Sequence, residues 1–448
     1  MRTPLGRGIC FVCLVLSLRV HGARCHVQDG DVSHDTFDLT EQQDSTKVFM
    51  GHSKQHEGLH HLRHTRSESN LGHEVVQSLR DHLFSRIHLD LKPWAHSGIS
   101  LEMVEQVYCS YNTQSFRLQI IDQTMYIVGE TREFPFFQTN MKLLLADVWA
   151  RYEGRLPDVD LVIQFDDWIP PTLNGTHPMC PHQGPIFTAT RKAEDWWGVL
   201  CPEESHRAPP GWLAYRKLIM RSAERHPWDH RTSKLFFRGG ATGTRAEQLG
   251  PDFAAVQSPH LDVQLSNPSN HVSLPNQCSN KYLLHMDGNT YSTRLKLLML
   301  CNSTVIKPDS PHQAYWWHLL EPGTHYVPTG RWEPGTASVH LTRLVEELER
   351  DQEKAQRVAA NGFELVRSVL TFDAVLEYWH RLLMAYSELQ TFKPQLHPDA
   401  MTLADSILAL PAHVQRPFGE RTCQICGHVA TPEQQGLYES GYYRSLHG

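Results

Sequence analysis

The spacing of polar and apolar residues changes character several times along the chain, and each change marks a predicted element. Residues 24–70 carry no sustained period and are rich in His, Gln, Ser and Asp, which predicts a flexible polar arm. Apolar positions then recur at helical spacing over Leu71–Leu91 and Ser100–Cys109. Phe116–Ile121 and Thr124–Val128 read as a hairpin turning at Asp122-Gln123. Thr139–Arg151 reads as an amphipathic helix. Val159–Phe165 is a β-branched run that ends on Asp166-Asp167. Ile169 to Gly211 is Pro-rich and reads as loop, and Trp212–Glu224 resumes a helical pattern. Four short apolar strands follow: Leu235–Phe237, Leu261–Gln264, Tyr282–Met286 and Thr304–Ile306. An apolar helix, Ser292–Cys301, separates the last two. Tyr326-Val327-Pro328 closes the alternation, and Val339–Ala360 and Phe372–Leu389 read as helices. In the second, Phe372, Val375, Leu376, Trp379, Leu382, Leu383 and Tyr386 line one face. After Pro394 the pattern thins into a tail. Strands alternating with helices predict an α/β fold built on parallel sheet.

Composition narrows the setting. The chain has 448 residues, 40% hydrophobic and 20% charged, enough for two or three domains. A net charge of −7 gives no support for a nucleic-acid binder. Arg2 and Arg7, the apolar run Ile9–Leu18 and the small Gly22-Ala23 predict a cleaved signal peptide over 1–23. That run is too short to span a membrane, and no other segment is long and apolar enough to do so. Eight cysteines remain outside the signal, an even number that favours disulfides without fixing their pairing. Asn174-Gly175-Thr176 is the favoured N-glycan acceptor, ahead of Asn302-Ser303-Thr304. Cys423-Gln424-Ile425-Cys426 is half of a zinc pattern with no convincing second pair, so a disulfide is preferred there.

Two segments carry the chemistry. Phe236-Phe237-Arg238-Gly239-Gly240-Ala241-Thr242-Gly243-Thr244-Arg245 and Asp287-Gly288-Asn289-Thr290-Tyr291-Ser292-Thr293-Arg294 each leave a strand-like run through small residues and reach an arginine. Small residues let a backbone approach a phosphate, exposed N–H groups and a helix start favour the anion, and guanidinium matches its oxygens. Two such turns in order suggest one domain gripping a diphosphate from two sides. Asp166 and Asp167, at a strand end, lie where open parallel sheets gather ligands. Ser292 has two readings, helix cap or phosphate ligand, and Tyr315, Trp316 and Trp317 have two, pocket wall or core.

In this order the motifs resemble glycosyltransferase family 90, the Rumi-type protein O-glucosyltransferases and capsule-associated xylosyltransferases. The matching pieces are Arg155-Leu156-Pro157-Asp158-Val159-Asp160, Phe237-Arg238-Gly239-Gly240 with Thr242 and Arg245, Lys281-Tyr282-Leu283, Asp287-Gly288 with Ser292 and Arg294, and His325-Tyr326-Val327-Pro328. They cover roughly Leu101 to Leu389 and leave out the arm and the tail.

The resemblance implies a GT-B-like α/β architecture, two Rossmann-like domains facing across a cleft with C-terminal helices crossing back. An acceptor-side domain would span 71–211 and a nucleotide-sugar domain 212–371, with a crossing helix at 372–392 and a tail at 393–448. It implies Asp167 as catalytic base, ahead of Asp166. It implies donor contacts from Arg238, Gly239, Gly240, Thr242, Arg245, Asp287, Gly288, Ser292 and Arg294, and a Cys278–Cys301 disulfide. Two departures stand out: Gly240 replaces the family's usual serine, and Arg245 is displaced by a small step. No Asp-x-Asp element stands out as a metal–diphosphate bridge, so a metal-independent mechanism without cofactor is expected. The implied activity is inverting transfer of glucose or xylose from a UDP-sugar to a Ser/Thr hydroxyl of a secretory-pathway protein, with EGF-like domains as one candidate acceptor. The expected location is the endoplasmic reticulum lumen, or otherwise the Golgi or outside the cell. A polysaccharide-directed xylosyltransferase and an inactive UDP-sugar-binding relative are the alternatives, the second kept open by Gly240.

Overall fold

A computed structural model describes residues 72–111, 114–129, 135–167, 184–208, 211–253, 258–267, 269–333 and 335–409. The signal peptide, the polar arm, Asn174 and the Cys423–Cys426 pair lie outside the described residues.

Helices α1 (His73–Leu91) and α2 (Leu101–Tyr111) precede a hairpin of β1 (Ser115–Ile121) and β2 (Thr124–Val128). Asp122 (φ 46°) and Gln123 (φ 67°) are both left-handed, the backbone that a tight two-residue hairpin requires. Helix α3 (Pro135–Arg151) leads into β3 (Val159–Gln164). Short strands β4 (Ile186–Thr188), β5 (Arg191–Lys192) and β6 (Gly198–Leu200) follow, inside the stretch expected to be loop. Three residues are too few to display a period, and the prolines around them hid the strands.

The first sheet runs β13-β2-β1-β3-β4-β6, where β13 is Met401–Thr402. Its β3-β4-β6 side is parallel, while β1 is antiparallel to both β2 and β3. The N-terminal half is therefore mixed sheet, not a purely parallel Rossmann unit. The reading of 393–448 as a tail is also corrected. Met401 and Thr402 pair with β2, and α11 (Leu403–Leu408) packs on α3. Helix α3 is not amphipathic either: Gln138, Thr139, Asn140 and Lys142 are as buried as Leu143–Leu145. It is covered by α10, by α11 and by the 3-10 turn Glu204–His206.

The second sheet follows α4 (Trp212–Arg225). It comprises β7 (Thr232–Gly239), β8 (Leu261–Leu265), β9 (Asn280–Leu284), β10 (Thr304–Lys307) and β12 (Val327–Pro328), ordered β12-β10-β9-β7-β8 and parallel throughout. The intervening helices are α5 (Gly243–Phe253), α6 (Leu274–Gln277) and α7 (Leu295–Met299). From β7 the chain moves to β8 on one side and then to β9 on the other. The crevice outside the C-terminal ends of β7 and β9 is thus the topological switch point, where ligands bind in sheets of this type. Both glycine-rich loops open there.

The helix expected over Val339–Ala360 is two helices, α8 (Ala337–Arg350) and α9 (Gln352–Val369). Asp351 breaks the pattern by capping α9, its side chain accepting from the Lys354 amide. Helix α10 (Phe372–Leu389) then crosses onto α1, α3 and β3. Its Trp379 indole donates to the Pro202 carbonyl and its Tyr386 hydroxyl to the Asp160 carbonyl. One hydrophobic core continues from the first sheet through α10 to α7 and α9, so the two halves share it. A two-stranded ribbon of β5 and β11 (His312–Gln313) also joins them. Cys278 and Cys301 form a disulfide that ties the C-cap of α6 to the chain just after α7.

Candidate active site

The Arg155–Asp160 motif works as a clamp. Asp158 accepts from the backbone N–H of Asp122 at 2.9 Å, pinning the hairpin turn. Asp160, fully buried, takes both arms of Arg117 at 2.5 and 2.6 Å and the Gln119 amide at 2.7 Å. Beyond it, Gln164 donates to the Thr188 hydroxyl and accepts from the Asp166 amide. Strand β3 therefore leaves the sheet at a fixed angle and presents Asp167 at the cleft. Asp167 is exposed; Asn289 donates to one of its oxygens at 3.0 Å and Thr290 to the other at 3.3 Å. The aspartate of the first half thus meets the second glycine-rich loop directly.

The two loops interlock. Gly243 has φ +43°, and a Cβ there would lie 2.4 Å from the Gly288 carbonyl oxygen. The Thr244 amide donates to that carbonyl at 3.1 Å. A Cβ on Gly288 would meet the Thr242 hydroxyl at 3.2 Å. We expect Gly243→Ala to separate the loops, because neither the backbone conformation nor the facing carbonyl accommodates a methyl group. Faster hydrogen exchange at the Thr244 amide, which loses its bond to the Gly288 carbonyl, reads this.

The loop amides are less available than the sequence suggested. Thr242, Thr244 and Arg245 N–H groups are used on Gly240, Gly288 and Thr242 carbonyls. Helix α7 has five residues and is capped by Arg294 without a side-chain bond, so Ser292 is not a helix cap. Instead Ser292 accepts from Arg245 at 3.1 Å. Arg238 is tied to β8, donating to the Asp262 carboxylate at 2.7 Å and the Asp262 carbonyl at 2.9 Å. Its own carbonyl accepts from Arg294 at 2.5 Å, so the two arginines are neighbours while their guanidinium groups do different work.

The cationic centre is made by Arg245, Arg294 and Lys307, all three buried and all bearing on His285. Burial and the adjacent Arg245 push Arg294 down to about 9. Burial lowers Arg245 and Lys307, against the pull of Asp287 on each. Burial and then these three cations drive His285 well below its usual range, so its imidazole is neutral. Asp287 is raised by burial and accepts from the Ser310 hydroxyl at 2.5 Å. Arg294 Nε, His285 Nε2 and Asp287 Oδ1 are buried with no hydrogen-bond partner among the described residues. Three buried cations around a neutral imidazole, two of them bearing on one carboxylate, with unmet polar atoms, suit an anion that also carries hydroxyls.

Trp317 lies under Lys307 at 4.8 Å, whereas Tyr315 and Trp316 are core. The sequence reading missed His285 and Lys307. The available signals were a histidine inside the apolar run Tyr282–Met286 and a lysine ending the strand Thr304–Lys307. It also missed Glu203 and Glu204 on the opposite wall. Glu203 is ion-paired with buried Lys296 of α7. Glu204 is half-buried, and burial, Glu203 and Asp167 together raise it to about 7.

A family model, glycosyl transferase family 90, matches residues 78–437. The chain belongs to glycosyl transferase family 90. This family 90 enzyme is a glycosyltransferase, and the match runs beyond Leu389 into the segment that supplies β13 and α11. It is similar to an O-glucosyltransferase rumi homolog of Aedes aegypti, 29% identical over 329 residues covering 68% of this chain and 77% of that protein. It is also similar to human Protein O-glucosyltransferase 1, 26% identical over 331 residues covering 68% of this chain and 80% of that protein. Among solved structures, Anabaena Alr3699/HepE in complex with UDP aligns over 38% of this chain and 44% of that chain with a TM-score of 0.26 and 11% identity, too slight a likeness to carry an argument.

Proposed function

We propose that this family 90 enzyme transfers glucose or xylose from a UDP-sugar to a protein hydroxyl, with inversion at the anomeric carbon. The observation that carries the proposal is the meeting of Asp167 with the loop that borders the Arg245, Arg294 and Lys307 cluster. In this reading the acceptor oxygen attacks the anomeric carbon while Asp167 takes its proton. The bond from that carbon to the phosphate oxygen breaks, and the diphosphate leaves with the electron pair toward the three cations. Arg238 acts here as a strut, and Gly239, Gly240 and Thr242 supply the close approach. His285 Nε2 and Asp287 Oδ1 are the groups available to sugar or ribose hydroxyls. The two relatives named as O-glucosyltransferases favour glucose and a protein acceptor.

The test is UDP release from a panel of UDP-sugars, with and without folded EGF-like domains, and with free glycans as a third arm. Acceptor-dependent UDP release with the domains is expected. UDP binding without release on any acceptor would replace this reading with that of an inactive sugar-nucleotide binder.

A further inference from the structure

Asp167 does not stand alone at the cleft. Asn289 Nδ2 donates to Oδ2 at 3.0 Å, and Thr290 Oγ1 donates to Oδ1 at 3.3 Å, so each carboxylate oxygen has one donor. Both donors come from the four-residue stretch between Asp287 and Arg245's partner Ser292. Asp287 is held by Ser310, and Gly288 is held against the first loop through Thr244. Thr290 is 1% exposed, so its hydroxyl has no water to choose instead. Two donors on separate oxygens fix the plane of a carboxylate and leave its remaining lone pairs for an incoming hydroxyl. Because these donors sit on the loop beside the cationic cluster, the carboxylate's orientation depends on that loop's position.

We infer that Asn289 and Thr290 are positioning residues that align the Asp167 carboxylate with the acceptor hydroxyl and make this alignment depend on the donor loop. The inference rests on the reading of Asp167 as the base. Three other titratable groups bear on Asp167: Glu204 from the 3-10 turn, Tyr291 from the same loop and His312 from β11.

The experiment compares Asn289→Ala, Thr290→Val, Thr290→Ser and Asn289→Asp in the full chain, with UDP-glucose and a folded EGF-like acceptor. Asn289→Ala and Thr290→Val should each lower kcat about tenfold, and UDP affinity, read by calorimetry, should stay within about threefold. The acid limb of kcat/KM should move to higher pH, because a carboxylate losing a donor binds its proton more tightly. Thr290→Ser should restore the wild-type profile. Asn289→Asp should move the acid limb further than Asn289→Ala, since a second carboxylate faces the first. Weakened UDP affinity with kcat and pH profile unchanged would overturn the inference and make these residues donor contacts. Wild-type behaviour in both truncations, with Asp167→Asn inactive, would overturn positioning alone. An active Asp167→Asn enzyme would remove the base and the inference together.

Discussion

Asp167→Asn should lower transfer by roughly 10²–10⁴-fold while UDP affinity changes little. A serine or threonine hydroxyl reacts only when its proton has a destination. Asparagine keeps the shape of the side chain and one acceptor oxygen but cannot take that proton at neutral pH. Its amide nitrogen would oppose the Asn289 amide as donor against donor in one orientation, whereas in the other the Thr290 hydroxyl can turn to accept from it. The cationic cluster is on the other loop flank and is untouched. Rapid-quench measurement of sugar transfer, paired with UDP calorimetry, separates these effects. A variant with full transfer would sink the assignment of the base.

Lys296→Met should destabilise the fold by about 3–5 kcal/mol, the usual consequence of leaving one member of a buried ion pair unpaired. Lys296 and Glu203 are both nearly inaccessible, at 2% and 1% exposure. Lys296 also donates to Ser205 and to the Thr293 carbonyl, joining α7 of the second half to the 3-10 turn of the first. Methionine fills the volume without the charge. The pH dependence supplies an independent check. Burial raises Glu203, but Lys296 and His206 outweigh it and hold it down to about 2, against 4.5 unfolded. Its contribution is present above pH 4.5 and is lost as pH falls toward 2. Burial lowers His206 to about 4, from 6.5, so stability also falls as pH drops from 6.5 to 4. Glu204, raised by burial to about 7 from 4.5, acts in the opposite sense, and its term falls as pH rises between those values. Below pH 4.5 only losses remain in the wild type. In Lys296→Met, Glu203 takes a proton readily, so the difference in stability should narrow as pH approaches 3. Denaturant unfolding at a series of pH values reads this directly.

Much of the scaffold was legible because local rules agreed with the tertiary fold. The hairpin at Asp122-Gln123, the strands that open both glycine-rich loops and the helix Phe372–Leu389 follow from period and turn chemistry alone. The three-residue strands of the first sheet and the return of Met401–Thr402 to β2 were not legible, since such short pieces become strands only beside a neighbour already in place. Helix α3 misled for a related reason. Polar residues such as Asn140 and Lys142 look solvent-facing in one dimension but are covered from several sides.

The sequence by itself determined where the chain turns sharply, which small residues let two loops approach, and that arginines follow them. Tertiary structure decided which cations cluster together. Asp262, 24 positions after Arg238, takes that guanidinium, while Lys307 joins the cluster from the end of a different strand. It also decided that Asp167 meets a loop 122 positions later. The physical reason is the same in each case: period and turn chemistry act over a few residues, whereas the sheet order and the shared core set which distant side chains compete for one another's charge.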